Sequence, residues 1–114
     1  MYDPNKLKNK KIPEAGSKIK ATISEIKSGK LGELLDNEVL KSWKNSSPED
    51  DGIEIIATTE DGQERKRTFK LPVDNEVHPQ SNLAKWKKIT GKYPEKGQVI
   101  ELIADENGFY QFPI

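Results

Sequence analysis

The densest group of chemically useful side chains in the sequence is the cationic run Arg-Lys-Arg-Thr-Phe-Lys at residues 65–70. In an extended strand, alternate side chains point to opposite faces. Phe69 and Leu71 share one parity, so we expect both to face a core. Lys66, Thr68 and Lys70 have the opposite parity and are predicted to face solvent. Arg65 and Arg67 are predicted near the end at which the chain enters the strand.

Cations spaced along a strand can follow the phosphates of a nucleic acid, and an aromatic face beside them can stack on a base. Among the eight aromatic residues, Trp43 is the best stacking candidate because it lies in the connection between the first two predicted strands. Lys20, on the outward parity of the first strand, completes the predicted binding set. Two alternatives stay open: the basic strand is simply a solvated face, or Glu54, Glu60 and Glu64 pair with its cations.

Other kinds of chemistry find little support in the residue types. The chain has no cysteine and one histidine, His78, which precedes Pro79 and is interpreted as a turn residue. The acidic run at residues 49–51 lacks the alternate spacing of an EF-hand loop. Phosphate-binding loop, serine-hydrolase and zinc-protease motifs are all missing. We therefore predict no catalytic residues, no metal site and no cofactor, and a protein that is not an enzyme.

Charge is balanced in total but not along the chain. The 114 residues carry 19 Lys+Arg and 19 Asp+Glu. Residues 1–30 sum to +5, residues 31–64 to −8, residues 65–96 to +6 and residues 97–114 to −3. A positive face that unites the first and third blocks would attract polyanions.

The pattern along the chain predicts one domain preceded by an arm. Residues 1–16 are polar, rich in Lys and Asn, and are expected to form a flexible basic arm. Residues 17–114 have the length of a single small domain. The polar N-terminus lacks the apolar stretch of a signal peptide, and no apolar run approaches the roughly 20 residues needed to span a bilayer. We expect a cytoplasmic protein without membrane contact.

Periodicity and turn residues predict the elements that must position these side chains. Alternation from residue 17 to 28 predicts a strand, with a bulge near Ser24-Glu25 where the parity changes. Leucines and other apolar residues spaced by four from Leu31 to Trp43 predict a short helix. Asp61-Gly62 and Asn107-Gly108 predict two hairpin turns. Between the hairpins, residues 82–90 are predicted as a helix, with its ends marked by Ser81 and Gly91.

This order of elements resembles that of OB-fold proteins over residues 17–114. The chain is also similar to small phage and archaeal OB domains that have Ser-x-Leu in a short helix, followed by Gly-x-x-Pro-x-x-Gly. The corresponding residues here are Ser81, Leu83, Gly91, Pro94 and Gly97. The resemblance implies a mainly-β fold: a five-stranded Greek-key barrel with a helix between strands 3 and 4 and a short helix inserted between strands 1 and 2. Trp86 would then be a core residue that plugs the barrel.

Oligonucleotides usually bind to OB barrels on the face of strands 2 and 3. The leading hypothesis is therefore non-enzymatic binding of single-stranded nucleic acid, DNA or RNA, with little sequence preference. The alternative is an OB-like protein-interaction module, an accessory subunit or phage-type regulator, that does not bind nucleic acid. The zero net charge favours this alternative, because dedicated nucleic-acid binders are commonly basic.

Overall fold

The computed structural model describes all 114 residues, Met1–Ile114. Five strands are present, in chain order β1 Lys18–Lys30, β2 Asp51–Thr59, β3 Glu64–Lys70, β4 Val99–Ala104 and β5 Tyr110–Gln111. Three α-helices accompany them: α1 Leu31–Leu34, α2 Asn37–Lys41 and α3 Asn82–Thr90. None of these helices combines the length and apolar character needed to cross a membrane.

The strands form one antiparallel sheet in the order β3-β2-β1-β4-β5. The central strand β1 pairs with β4 over its first residues and with β2 over the remainder, and the two pairings overlap at Ala21 and Thr22. The sheet thereby curls into a nearly closed barrel, open between β3 and β5. The mainly-β class and the five strands of the prediction are confirmed.

A β-bulge lets the long central strand bend. Ile23 pairs with Ala57 whereas Glu25 pairs with Ile56, so Ser24 is the extra residue. Its hydroxyl donates to the Ile56 carbonyl at 3.2 Å. The bulge predicted from the change of parity is confirmed, and it allows residues three apart, Ile23 and Ile26, to face the same core.

The core is organised around the indole of α3. Trp86 is fully buried, with the Phe69 ring edge-on at 5.7 Å between centroids and the Phe112 ring at 5.8 Å. Helix α3 has the predicted range: the Ser81 hydroxyl accepts the Ala84 N–H at 3.2 Å, and Gly91 ends it at φ 91°. Trp86 is a core residue, as predicted.

The connection between β1 and β2 differs from the single helix that its spacing predicts. Leu35 is extended, with φ −122° and ψ 147°, and it separates the short helices α1 and α2. Leu31 and Leu40 are buried, but Val39 is 45% exposed. The apolar stripe therefore does not contact the barrel as one face, because packing of Leu31 on the sheet outweighs continuation of so short a helix.

Residues 1–16 lie outside the sheet and contain only a 3-10 turn at Pro4–Lys6. The end of this segment is attached to the barrel, since the Gly16 N–H donates to the Ala104 carbonyl at 2.9 Å. Ile12 packs on the β4–β5 turn, where a Cβ added to Gly108 would lie 2.7 Å from the Ile12 Cβ. The flexibility of the arm stays a prediction.

Gly52 is predicted to be required for the packing of α1 on the sheet. A Cβ at this position would lie 2.5 Å from the Cδ2 of buried Leu31 and 3.0 Å from the Phe69 carbonyl oxygen. Gly52→Ala should therefore lower the free energy of unfolding by about 1–3 kcal/mol, as overpacking does elsewhere. Urea denaturation measures this, with Gly29→Ala as control, because its nearest neighbour is the Glu33 carboxylate at 3.2 Å. Equal losses in both variants would contradict the prediction.

The β4–β5 turn is predicted to weaken in acid. The Phe109 N–H first, then the Gln111 side chain, hold the pKa of the Asp105 carboxyl below its ordinary value of 3.8. A carboxyl with a lowered folded-state pKa stabilises the fold above its unfolded pKa and loses this contribution as pH falls through the folded value. Asp105→Asn should thus cost stability at pH 7, and the cost should shrink below pH 3.8. Thermal unfolding across pH tests this; a cost independent of pH would contradict it.

Candidate nucleic-acid interface

The register of β3 divides the cationic run between two faces of the sheet. Directly opposed residues of antiparallel strands project to the same side. Arg65 is opposite Ala57 and Arg67 is opposite Ile55, whose side chains are fully buried. The two arginines therefore leave the strand toward the core side, at the barrel's open edge. Lys66 and Lys70 leave from the outer face, as the alternation predicts.

Both arginines make local contacts at that open edge. Arg65 donates to the Glu64 carbonyl at 3.0 Å and to Gln63 Oε1 at 2.8 Å. The Arg67 guanidinium carbon lies 5.9 Å from the centroid of the Phe69 ring. These contacts place the arginines around the β2–β3 hairpin and the aromatic core, not beside the two lysines.

An open groove of about 660 Å³ lies at the end of β3. Its lining comes from the end of β3, the β3–α3 connection, the start of α3 and the β1–β2 connection: residues 43–44, 68–73, 76–78 and 80–83. Trp43 is half-buried in this lining, and Thr68 and Lys70 come from the outer face of β3. The structure thus brings the predicted aromatic and one predicted cation into a single groove.

The Lys70 ammonium is held by two acceptors from the β1–β2 connection. It donates to the Asn45 carbonyl at 2.8 Å and lies 3.3 Å from Asp50 Oδ2. Asn45 has φ 58°, a left-handed conformation that Asn tolerates better than most residues. Lys44, beside Trp43, is exposed and makes no ion pair. The groove therefore contains one paired and one unpaired lysine.

Asp50 is the site residue that the sequence reasoning missed. The Ser47 N–H donates to its Oδ2 at 2.9 Å, and this bond, followed by the Lys70 ammonium, lowers the pKa of the Asp50 carboxyl. The acidic run that contains Asp50 gives no metal-binding pattern, and the sequence carries no signal that one of its carboxylates pairs with Lys70.

The glutamates suspected of neutralising the basic strand do not do so. The protein's ion pairs are Lys30–Asp51, Lys70–Asp50 and Lys92–Glu95. Glu54, Glu60 and Glu64 take part in none of them. Lys66 is therefore an exposed, unpaired cation on the outer face of the sheet, and it does not line the groove.

Lys20 lies apart from the groove. In the register of β1 and β4, Lys20 is opposite Glu101. It lines a separate depression of about 370 Å³, to which Ile89 and Val99 also contribute. These two side chains are 57% and 61% exposed. Ile89 therefore does not share the buried face of α3 that contains Trp86.

The far end of the groove is occupied by the turn before α3. His78 Nδ1 accepts the Gln80 N–H at 3.0 Å, and the Ser81 hydroxyl donates to the His78 carbonyl at 2.7 Å. These contacts fit the interpretation of His78 as a turn residue. No group of three or more His, Asp or Glu side chains in the protein is arranged to hold a metal ion.

Replacing Lys70 should raise the pKa of the Asp50 carboxyl only in part. The main cause of its lowering, the Ser47 N–H, remains in Lys70→Met, so the pKa should rise yet stay below the ordinary 3.8. Carbon-detected NMR titration of the carboxyl measures it. Lys30→Met is the matched control, because Lys30 pairs with Asp51 and is the smallest of the causes that lower the pKa of Asp50. A larger rise in the control than in Lys70→Met would contradict the assignment.

Comparison with known proteins adds no relative to this picture. Protein-family models, curated proteins and solved structures yield no match to the chain. A functional proposal must therefore rest on the geometry of the groove itself.

Proposed function

We propose that the protein is a non-enzymatic, OB-like Greek-key barrel that binds single-stranded nucleic acid along the groove at the end of β3. The chain order of strands, and the pairing of β1 with both β2 and β4, support the OB-like topology. One observation carries the function: the half-buried indole of Trp43 lies in an open groove together with Lys44 and Lys70. An aromatic side chain and two lysines in one groove suit a base and its phosphates.

The same geometry suggests little sequence preference. Stacking on an indole contributes about 1–3 kcal/mol per base and is available to every base. The cations act on phosphate, which carries no sequence information. Lys66 extends the cationic surface along the outer face of β3, whereas Arg65, Arg67 and Lys20 contribute through their long-range field.

A second candidate function has its own support. The depression around Ile89 and Val99 exposes two large aliphatic side chains, and the net charge of the chain is zero. An apolar surface of this kind suits a protein partner. An OB-like protein-interaction module, without nucleic-acid binding, is therefore the alternative.

Trp43→Ala is predicted to weaken binding to a labelled oligothymidylate of about twelve nucleotides, within the site sizes of single OB barrels. Loss of one stacked base should raise Kd about 5- to 140-fold at low salt. Fluorescence anisotropy measures this, with Phe109→Ala as control, because Phe109 is a 59% exposed aromatic outside the groove. Lys44→Ala should weaken binding further than Lys88→Ala, which removes an exposed lysine elsewhere.

Wild-type binding should also weaken as salt rises, with a log–log slope of about −0.7 for each phosphate contacted. The absence of saturable binding to both oligothymidylate and oligouridylate at low salt would overturn the proposal. A similar loss in Phe109→Ala and Trp43→Ala would place the site elsewhere. A stoichiometric protein partner that survives nuclease treatment and is lost in Val99→Asp would select the second candidate.

A further inference from the structure

The ammonium group of Lys70 already has anionic and carbonyl oxygens where a phosphate would bind. Asn45 supplies a carbonyl oxygen at 2.8 Å and Asp50 a carboxylate oxygen at 3.3 Å. Both side chains of the Lys70–Asp50 pair are about one third exposed, at 36% and 33%. The pair is therefore accessible to a ligand and sensitive to salt.

The Asp50 carboxylate is held in place by its surroundings. Its Oδ2 accepts the Ser47 N–H at 2.9 Å, and the Asp50 carbonyl accepts the Leu31 N–H at 2.8 Å. The next carbonyl, that of Asp51, accepts the Leu71 N–H at 2.8 Å. The acidic segment is thus bonded both to the end of β1 and to the end of β3, so Lys70 meets a preorganised anion.

The neighbouring carboxylate acts on a different lysine. Asp51 Oδ1 lies 2.6 Å from Lys30 Nζ, and neither residue lines the groove. Two adjacent aspartates therefore neutralise two lysines, of which only Lys70 belongs to the proposed binding site. Asp51 is, in consequence, a matched comparison for Asp50.

We infer that Asp50 is an internal competitor of phosphate: a bound strand displaces its carboxylate from Lys70, and this competition limits the affinity of the groove. The inference rests on the proposed function and names the regulation of its site. Removing the carboxylate frees Lys70, which lines the groove, and removes a negative charge 3.3 Å from its ammonium group. The acidic segment makes the groove a weak, readily dissociating binder.

Asp50→Asn tests the inference, because the amide oxygen can still accept the Ser47 N–H while the negative charge is gone. Its Kd for the labelled oligothymidylate should fall about three- to tenfold at low salt, a somewhat larger effect than one exposed ion pair provides. Asp51→Asn removes the same negative charge one residue away, and it should change Kd less than about twofold. In a Lys70→Ala background, Asp50→Asn should lose most of its effect. Circular dichroism and thermal unfolding establish that all variants fold.

The possible results separate this inference from the proposed function. If the wild type binds and Asp50→Asn binds no more tightly, or Asp51→Asn tightens binding equally, the inference is overturned and the function stands. If the wild type fails to bind but Asp50→Asn binds, the inference is supported and the native function is not. If neither binds oligothymidylate or oligouridylate, both are overturned.

Discussion

The double pairing of β1 is the constraint on which the rest of the structure depends. A strand that bonds to β4 on one side and β2 on the other must bend as the sheet curls, and the bulge at Ser24 provides the bend. The bend directs Ile23 and Ile26 to one core and curls the nearly closed barrel around Trp86. It also carries the end of β1, and the connection that follows it, over the end of β3, where the groove forms.

That connection has two roles, one in packing and one in electrostatics. Leu31 packs against Gly52, which has no side chain to obstruct it. This contact attaches the connection to the outer face of the sheet. Beyond this contact the chain places Trp43 in the groove and Asp50 against Lys70. The aromatic side chain and the competing carboxylate thus come from one segment. Under the proposed function, affinity gained through Trp43 is opposed by Asp50, which suits reversible binding.

Local sequence chemistry determined a large part of the fold. The Ser81 hydroxyl and Gly91 set the ends of α3, the change of parity indicated the bulge, and the Asp61-Gly62 and Asn107-Gly108 pairs marked turns between strands. Each depends on residues within a few positions of one another, where backbone preference and side-chain capping act directly. The same local reasoning was wrong for the β1–β2 connection, because burial of Leu31 against a distant strand prevailed over helical periodicity.

The sequence by itself therefore determined the strands, the turns, the helix α3 and the core position of Trp86, together with the outward direction of Lys66 and Lys70. Only the tertiary structure decided which of the candidate binding residues meet. It placed Trp43 and Lys70 in one groove, directed Arg65 and Arg67 to the core side at the open edge of the barrel, left Lys20 in a separate depression and paired Lys70 with Asp50. These relations join residues far apart in the chain, and strand register and the curl of the barrel set them, not any preference of the residues themselves.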